Sequence, residues 1–263
     1  MATYSSSIDG PEGLASLSAL YSPETRLRAI IDSVLGGHLG SARADDLYRP
    51  GVARLCLGCY AIFAGDPALP LAEELIRDLR APVELIVPRD GDWDSLARSV
   101  HADRIVERPM QAFSAANLRL PRLREIAASI PTGFEIQHLD ASLADQLGDD
   151  LSPHGMQVMN DTRDFSERSG GVGALSKGRL VGAATNYAFS AKSIEVAIST
   201  HPDHRGQGIA SCLAATWIVH CLEQTIVPHW NASNPVSKRL ARRLGYIPAE
   251  TVNVLLVERD PGS

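Results

Sequence analysis

The stretch His201-Pro202-Asp203-His204-Arg205-Gly206-Gln207-Gly208-Ile209-Ala210 decides how this chain is read. It lies between an apolar run, Ser193 to Thr200, and a segment with an apolar stripe at helical spacing, Ile209, Leu213, Trp217 and Cys221. A strand that turns directly into a helix leaves the first helical amides unpaired, and these amides together with the helix dipole attract an anion. Gly206 and Gly208 let that anion approach the backbone with no Cβ in the way. Arg205 adds positive charge, and Ala210 is small enough to pack closely beneath the turn. Two other phosphate loops fit less well. A dinucleotide fingerprint needs a third glycine, where Ser211 stands, and a P-loop needs Gly-Lys-Ser/Thr, which is absent. Taken alone, the turn is also compatible with a glycine-rich loop that binds nothing.

Outward from this turn, the elements fall into a regular order. Phe134 to Leu139 reads as a strand, and Asp140 to about Gly148 as a helix. Gly171 to Ser176 and Arg179 to Phe189 read as two strands joined by a Lys177-Gly178 hairpin turn. Ser193 to Thr200 is a third strand. A helix follows from Gly208 to Glu223, then a short strand from Ile226 to Trp230. Pro235 to Leu244 is an amphipathic helix, and Gly245-Tyr246 leads into the alternating Val252, Val254, Leu256. Towards the N-terminus, helical spacing over residues 11 to 36, a strand over Val52 to Phe63, a helix over Leu69 to Leu79 and a strand over Val83 to Val87 suggest a smaller α/β domain. The predicted boundary is the Pro131-Thr132-Gly133 break, which gives domains 1–130 and 131–263. No internal repeat is legible.

Composition sets the limits of function. The chain has 263 residues, 44% of them hydrophobic and 21% charged, which is ordinary for a globular protein. The formal net charge of −6 leaves no overall basic footprint for nucleic acid. No apolar run approaches a membrane span, and the opening MATYSSSIDG lacks the pattern of a secretory signal. Cys56 and Cys59 form a lone C-x-x-C inside an apolar run without a second Cys/His pair, and Cys212 and Cys221 sit in an apolar helix. All four read as small core residues, and the expected setting is a reducing cytoplasm with no metal site.

Arg205-x-x-Gly208-x-Ala210 resembles the Arg/Gln-x-x-Gly-x-Gly/Ala signature of the GCN5-related N-acetyltransferases (GNAT). Asn234, the helix after it, and Gly245-Tyr246 resemble the same family's Asn…helix…Gly-Phe/Tyr segment. The resemblance covers residues 133 to 258. Ile194 to Ile198, Pro228-His229-Trp230 and Asn234 to Ser237 are similar to the subgroup that includes the zwittermicin A self-resistance enzyme. Leu57 to Pro67 and the Trp93 region resemble that subgroup more weakly.

The resemblance implies a mixed, mostly antiparallel splayed sheet flanked by helices, preceded by a smaller α/β domain that is either GNAT-like itself or a wall of the acceptor cleft. It implies acetyl-CoA as cosubstrate, its diphosphate held by Arg205, Gly206, Gln207, Gly208, Ile209 and Ala210. The pantetheine arm is expected along Ile198, Ser199 and Thr200, with Asn234 bonding an amide of that arm or capping its own helix. An amide near Ile198 would polarise the thioester carbonyl. Glu195, among apolar neighbours, is either a base of raised pKa or a strand-surface carboxylate. His229 is either a second base or a packed rim histidine, and Trp230 is read as packing the cleft wall in preference to stacking on substrate. His201 and His204 are read as capping or lining the loop. Many family members carry a Tyr as proton donor to the thiolate where this chain has Ala241; Ser237, one turn earlier, is the substitute candidate. Asp149, Asp150, Asp161 and Asp164 are either solvated loop charge or an anionic rim for a cationic amine. The expected partner is a small-molecule amine, such as an aminoglycoside-like or peptide antibiotic, with neither nucleic acid nor membrane; a homodimer is compatible with this. A protein amine as acceptor, or a CoA-binding sensor without turnover, remains open.

Overall fold

The computed structural model describes residues 6–7, 11–88, 92–148, 151, 165 and 169–259. Two compact units divide the chain: Met1–Met110 with Thr251–Ser263, and Gln111–Glu250. This differs from the expected single break at 130/131.

The first unit contains strands β1 (Ser6–Ser7), β2 (Ser41–Ala44), β3 (Val52–Leu57), β4 (Tyr60–Gly65) and β5 (Val83–Ile86), and helices α1 (Pro11–Leu17), α2 (Arg28–Leu35), α3 (Leu71–Arg77) and α4 (Trp93–His101). The strand expected over Val52 to Phe63 is a hairpin, with Gly58 at φ 53° in its turn. The cysteine reading changes with it. Cys56 is on β3 and Cys59 is in the turn, both half-buried and in no disulfide. β4 and β5 are parallel, and Leu255, Leu256 and Val257 pair antiparallel with β5. The core holds Phe63, Leu75, Leu85, Leu255 and the fully buried Trp93, whose Nε1 donates to the Gly65 carbonyl at 2.9 Å.

The second unit carries the family-like elements. After β6 (Ile105–Ser114) come α5 (Leu120–Ala128), β7 (Glu135–His138), α6 (Ala141–Ala144), β8 (Gly171–Ser176), β9 (Arg179–Phe189), β10 (Ser193–Thr200), α7 (Ile209–Glu223), β11 (Val227–Ala232), α8 (Pro235–Leu244) and β12 (Ile247–Val257). Its strands lie in the order β6-β11-β10-β9-β8-β7, antiparallel except for β10 and β11. The Lys177-Gly178 turn forms as predicted, with φ 51° and 77°. The apolar stripe expected on α7 understates its burial. Ala214, Ala215 and Ile218 are also fully buried, in a cluster with Leu123 and Ile126 of α5 and Ala241 and Leu244 of α8. That packing places α5 in the second unit, although it precedes the predicted boundary.

The structure also shows a repeat of element order that the residues hide. β2-β3-β4-α3-β5-α4-β6 and β8-β9-β10-α7-β11-α8-β12 are each three antiparallel strands, a helix, a strand parallel to the third, a helix and a closing strand. The closing strands are exchanged. Gln111, Ala112 and Phe113 of β6 pair with β11 in the second unit, and Leu255 to Val257 of β12 pair with β5 in the first.

Candidate acetyl-CoA site

The site begins where two parallel strands part. β10 and β11 are in register at Ser193/Val227, Ile194/Pro228 and Glu195/His229, and the pairing stops there. A register shift between Glu195 and Val196 in the β9–β10 pairing marks the same point, and a bulge of this kind bends the strand that carries it. Ser193, Ile194 and Glu195 are buried, whereas Val196 to Thr200 are half-buried along the open edge. Beyond the fork lies a cavity of about 1060 Å³ lined by Val196, Ile198, Ser199 and Thr200 of β10 and by the turn into α7.

Gly206 and Gly208 adopt φ 76° and 88°, in the left-handed region that glycine enters at least cost. Gly208 caps α7. Among the described residues, the amides of Gly206 through Ala210 donate to no acceptor, whereas the Ser211 amide bonds the Gly208 carbonyl at 3.1 Å. Arg205 Nε donates to the Thr200 carbonyl at 3.0 Å, which ties the guanidinium to the end of β10. His201 Nδ1 accepts from the Asp203 amide at 3.4 Å, while His204 lines the cavity with its ring edge-on to Phe134. The corresponding turn of the first unit is built otherwise. There Gly65-Asp66-Pro67 offers a carboxylate and an imino acid, and Asp66 accepts from the Ala68 amide.

The far wall comes from α8. Asn234 Oδ1 accepts from the Ser237 amide at 2.9 Å, so Asn234 is the helix cap, and it lines the cavity as well. Replacing Asn234 by Ala is expected to cost about 1 kcal/mol, measurable as a lower urea midpoint at unchanged slope. An unchanged midpoint would remove the cap from the account. Ser237 Oγ accepts from Trp230 Nε1 at 3.0 Å. An indole N–H can only donate, so the Ser237 hydroxyl keeps its own proton for another acceptor. Trp230 is cleft wall, as read, packed on Tyr246 with ring centroids 5.4 Å apart.

Ala241 is fully buried in a cluster with Leu244, Trp230 and Tyr246. Tyr246 does not replace the missing donor. Its hydroxyl donates to the Pro228 carbonyl at 2.9 Å, and burial holds its pKa well above the ordinary tyrosine value.

Glu195 sits at the fork and is 5% exposed. Its Oε1 and Oε2 accept from the Asn231 amide and Nδ2, each at 2.9 Å. Burial raises its pKa from 4.5 to about 7, against the lowering pull of those two hydrogen bonds. It does not line the cavity, and neither do Gln207 and His229; His229 is half-buried opposite Glu195. Asp149, Asp150, Asp161 and Asp164 lie outside the described residues.

Sequence reading missed Asn231, Arg239 and Arg243. Both arginines line the cavity, and their i, i+4 spacing on an already recognised helix is the signal that could have found them. Among the described residues, no carboxylate lines the cavity, while Arg205, Arg239 and Arg243 do. Free amides, three guanidinium groups and an orphaned buried Thr200 Oγ1 on the cavity wall suit a polyanion with a polar arm, which is the chemistry of coenzyme A. Among the described residues, no group of three or more His, Cys, Asp or Glu side chains is arranged to hold a metal, and no helix is long and apolar enough to cross a membrane.

A forked, mostly antiparallel sheet with an amide-lined turn at the head of a central helix defines the GCN5-related N-acetyltransferase fold. The sequence model of the GNAT acetyltransferase family matches residues 24–255, and the chain belongs to that family. The match takes in most of the N-terminal half, beyond the 133–258 span expected from motifs. A GCN5-related N-acetyltransferase-like protein from Streptococcus suis 89/1591 superposes with a TM-score of 0.82 at 24% identity, over 94% of this chain and 99% of that one. A tandem GNAT protein from the clavulanic acid biosynthesis pathway covers 99% of both chains with a TM-score of 0.58 at 13% identity. The uncharacterized N-acetyltransferase YdfB of Bacillus subtilis (strain 168) is 26% identical over 156 residues. That alignment spans 59% of this chain and 58% of the relative.

Proposed function

We propose that the protein transfers the acetyl group of acetyl-CoA to a primary amine of a small molecule, and that the acceptor is a cationic antibiotic of aminoglycoside-like or peptide-like chemistry, which would make this a resistance enzyme. The observation that carries the transferase reading is the fork after Glu195 and His229, which opens onto the amides of Gly206 to Ala210. The acceptor class rests on the resemblance of Ile194–Ile198, Pro228–Trp230 and Asn234–Ser237 to the zwittermicin A resistance subgroup. The protein is proposed to work in the cytoplasm.

The reaction needs four roles filled. The diphosphate sits on the amides from Gly206 to Ala210, and the pantetheine arm runs along Ile198, Ser199 and Thr200. The amine lone pair attacks the thioester carbon, and the carbonyl oxygen gains charge facing the amide near Ile198. The C–S bond then breaks, the amine proton passes through water to Glu195, and the thiolate, steadied by a hydrogen bond donated by Ser237, takes its proton from solvent. Glu195 suits its role because a carboxylate that titrates near 7 holds and releases protons at neutral pH. His229, next to it across the strand pair, is the alternative acceptor.

A thiol already has a moderate pKa, so its protonation needs limited help. Ser237→Ala is therefore expected to lower kcat by only about 10-fold, below the usual range for a general acid. It also strips the acceptor from Trp230 Nε1, at a stability cost of about 1–3 kcal/mol. An unchanged kcat would take Ser237 out of the chemistry.

Thiol release over a panel of aminoglycosides, polyamines and lysine peptides tests the reading. Turnover confined to small cationic amines is the expected result. Turnover on peptides alone would make the protein a protein acetyltransferase. Tight acetyl-CoA binding with no transfer to any amine would make it a sensor.

A further inference from the structure

The turn into α7 accounts for one diphosphate, and the cavity holds more positive charge than that diphosphate requires. Arg239 and Arg243 lie four residues apart on α8, so their side chains share one face and rise about 6 Å along the axis. Both line the cavity, on the wall opposite the turn, and no ion pair involves either one among the described residues. Other arginines of the protein are committed: Arg124 to Glu223, Arg98 to Asp94 and Glu107, Arg43 to Glu74 and Asp78. Arg242, between the two, turns to another side and lies over the Phe113 ring, 5.9 Å from its centroid. The helix thus divides its basic residues between a packing face and a cavity face.

Coenzyme A carries a third phosphoryl group, the 3′-phosphomonoester, which bears close to two negative charges at neutral pH. Two guanidinium forks side by side match the oxygens of such a group better than a single one does. We propose that Arg239 and Arg243 bind the 3′-phosphate and make the protein selective for acetyl-CoA over its 3′-dephospho form. This rests on the acetyl-CoA reading of the same cavity. Ser237 and Asn234 serve the acyl and pantetheine end of α8, and the arginine pair serves the nucleotide end. Both arginines are exposed, so solvent screens the interaction and salt weakens the selectivity.

Calorimetric titration of the full-length protein with acetyl-CoA and with 3′-dephospho-acetyl-CoA tests the proposal. The wild-type protein is expected to bind acetyl-CoA at least about 10-fold more tightly, the size of effect one charge-assisted contact supplies. In Arg239→Ala/Arg243→Ala the two affinities are expected to converge to within about 2-fold, with the dephospho form bound as in wild type. Arg242→Ala removes one such charge from the same helix and is expected to keep the full preference. Equal binding of both forms by wild type, or a preference that survives in the double variant, overturns the assignment of the pair while leaving the acetyl-CoA reading standing. Failure of wild type to bind either form overturns both.

Discussion

Replacing Gly208 by glutamate is expected to lower acetyl-CoA affinity by at least about 100-fold. Two causes act together. Gly208 holds φ 88°, where a residue with a Cβ is strained by about 1–2 kcal/mol. A carboxylate at the helix cap would also stand where the diphosphate is bound, so like charges meet in a partly enclosed space. The protein itself would tolerate the change. A Cβ at Gly208 meets only Pro131 Cγ, at 3.9 Å, and one at Gly206 meets nothing within 4 Å. Titration with acetyl-CoA alongside a thermal melt separates the two effects: affinity collapses while the melt shifts by a few degrees. Gly208→Ala supplies strain without charge and is expected to fall between. An affinity unchanged in Gly208→Glu would mean that the diphosphate is bound elsewhere.

The Glu195 carboxyl makes stability depend on pH in a direction opposite to that of most carboxylates. Its pKa is about 7 in the folded protein against an ordinary 4.5. Between these values the folded state binds the proton and the unfolded state does not, so stability falls as pH rises from about 4.5 to about 7 and then levels. The loss amounts to about 3 kcal/mol across the window. Denaturation midpoints from pH 5 to 8 should show this slope in wild type and lose it in Glu195→Gln. The amide keeps the shape of the side chain, and a flip of the Asn231 carboxamide restores complementary hydrogen bonds. In the same variant kcat is expected to fall by about 100-fold, with loss of the limb that rises towards pH 7. A variant with the wild-type slope and full kcat would show that neither behaviour belongs to Glu195.

The glycine turn into α7 was legible because everything it needs is local. Arg205, Gly206 and Gly208 follow a strand and open a helix within ten residues, and chain geometry does the rest. The fork was expected only through the family resemblance, as a splayed sheet, and the residues alone do not reveal it. It arises from a register shift after Glu195 and from the point where pairing with His229 ends, and pairing over that distance leaves no trace in either strand alone. The burial of Glu195 could be guessed from Ile194, Val196 and Ala197, but its clamp by Asn231 depends on a neighbouring strand 36 residues away. The same reasoning applies to the break at 130/131. Pro131-Thr132-Gly133 looks like a linker by composition, yet Leu123 and Ile126 before it share a core with Ala214 and Ile218 after it. α7 read as a one-sided helix because Ile209, Leu213, Trp217 and Cys221 dominate its pattern. The alanines between them are small enough to bury against α5 without leaving an apolar signature.

Exchange of the closing strands also bears on how such a protein can be taken apart. A gene cut at residue 130 gives a first fragment without the Leu255–Val257 edge its β5 requires and a second without the Gln111–Phe113 edge its β11 requires. Each product would expose a row of unpaired amides and carbonyls, the kind of border that recruits other chains. Neither half can therefore be removed without leaving the other with an open sheet border.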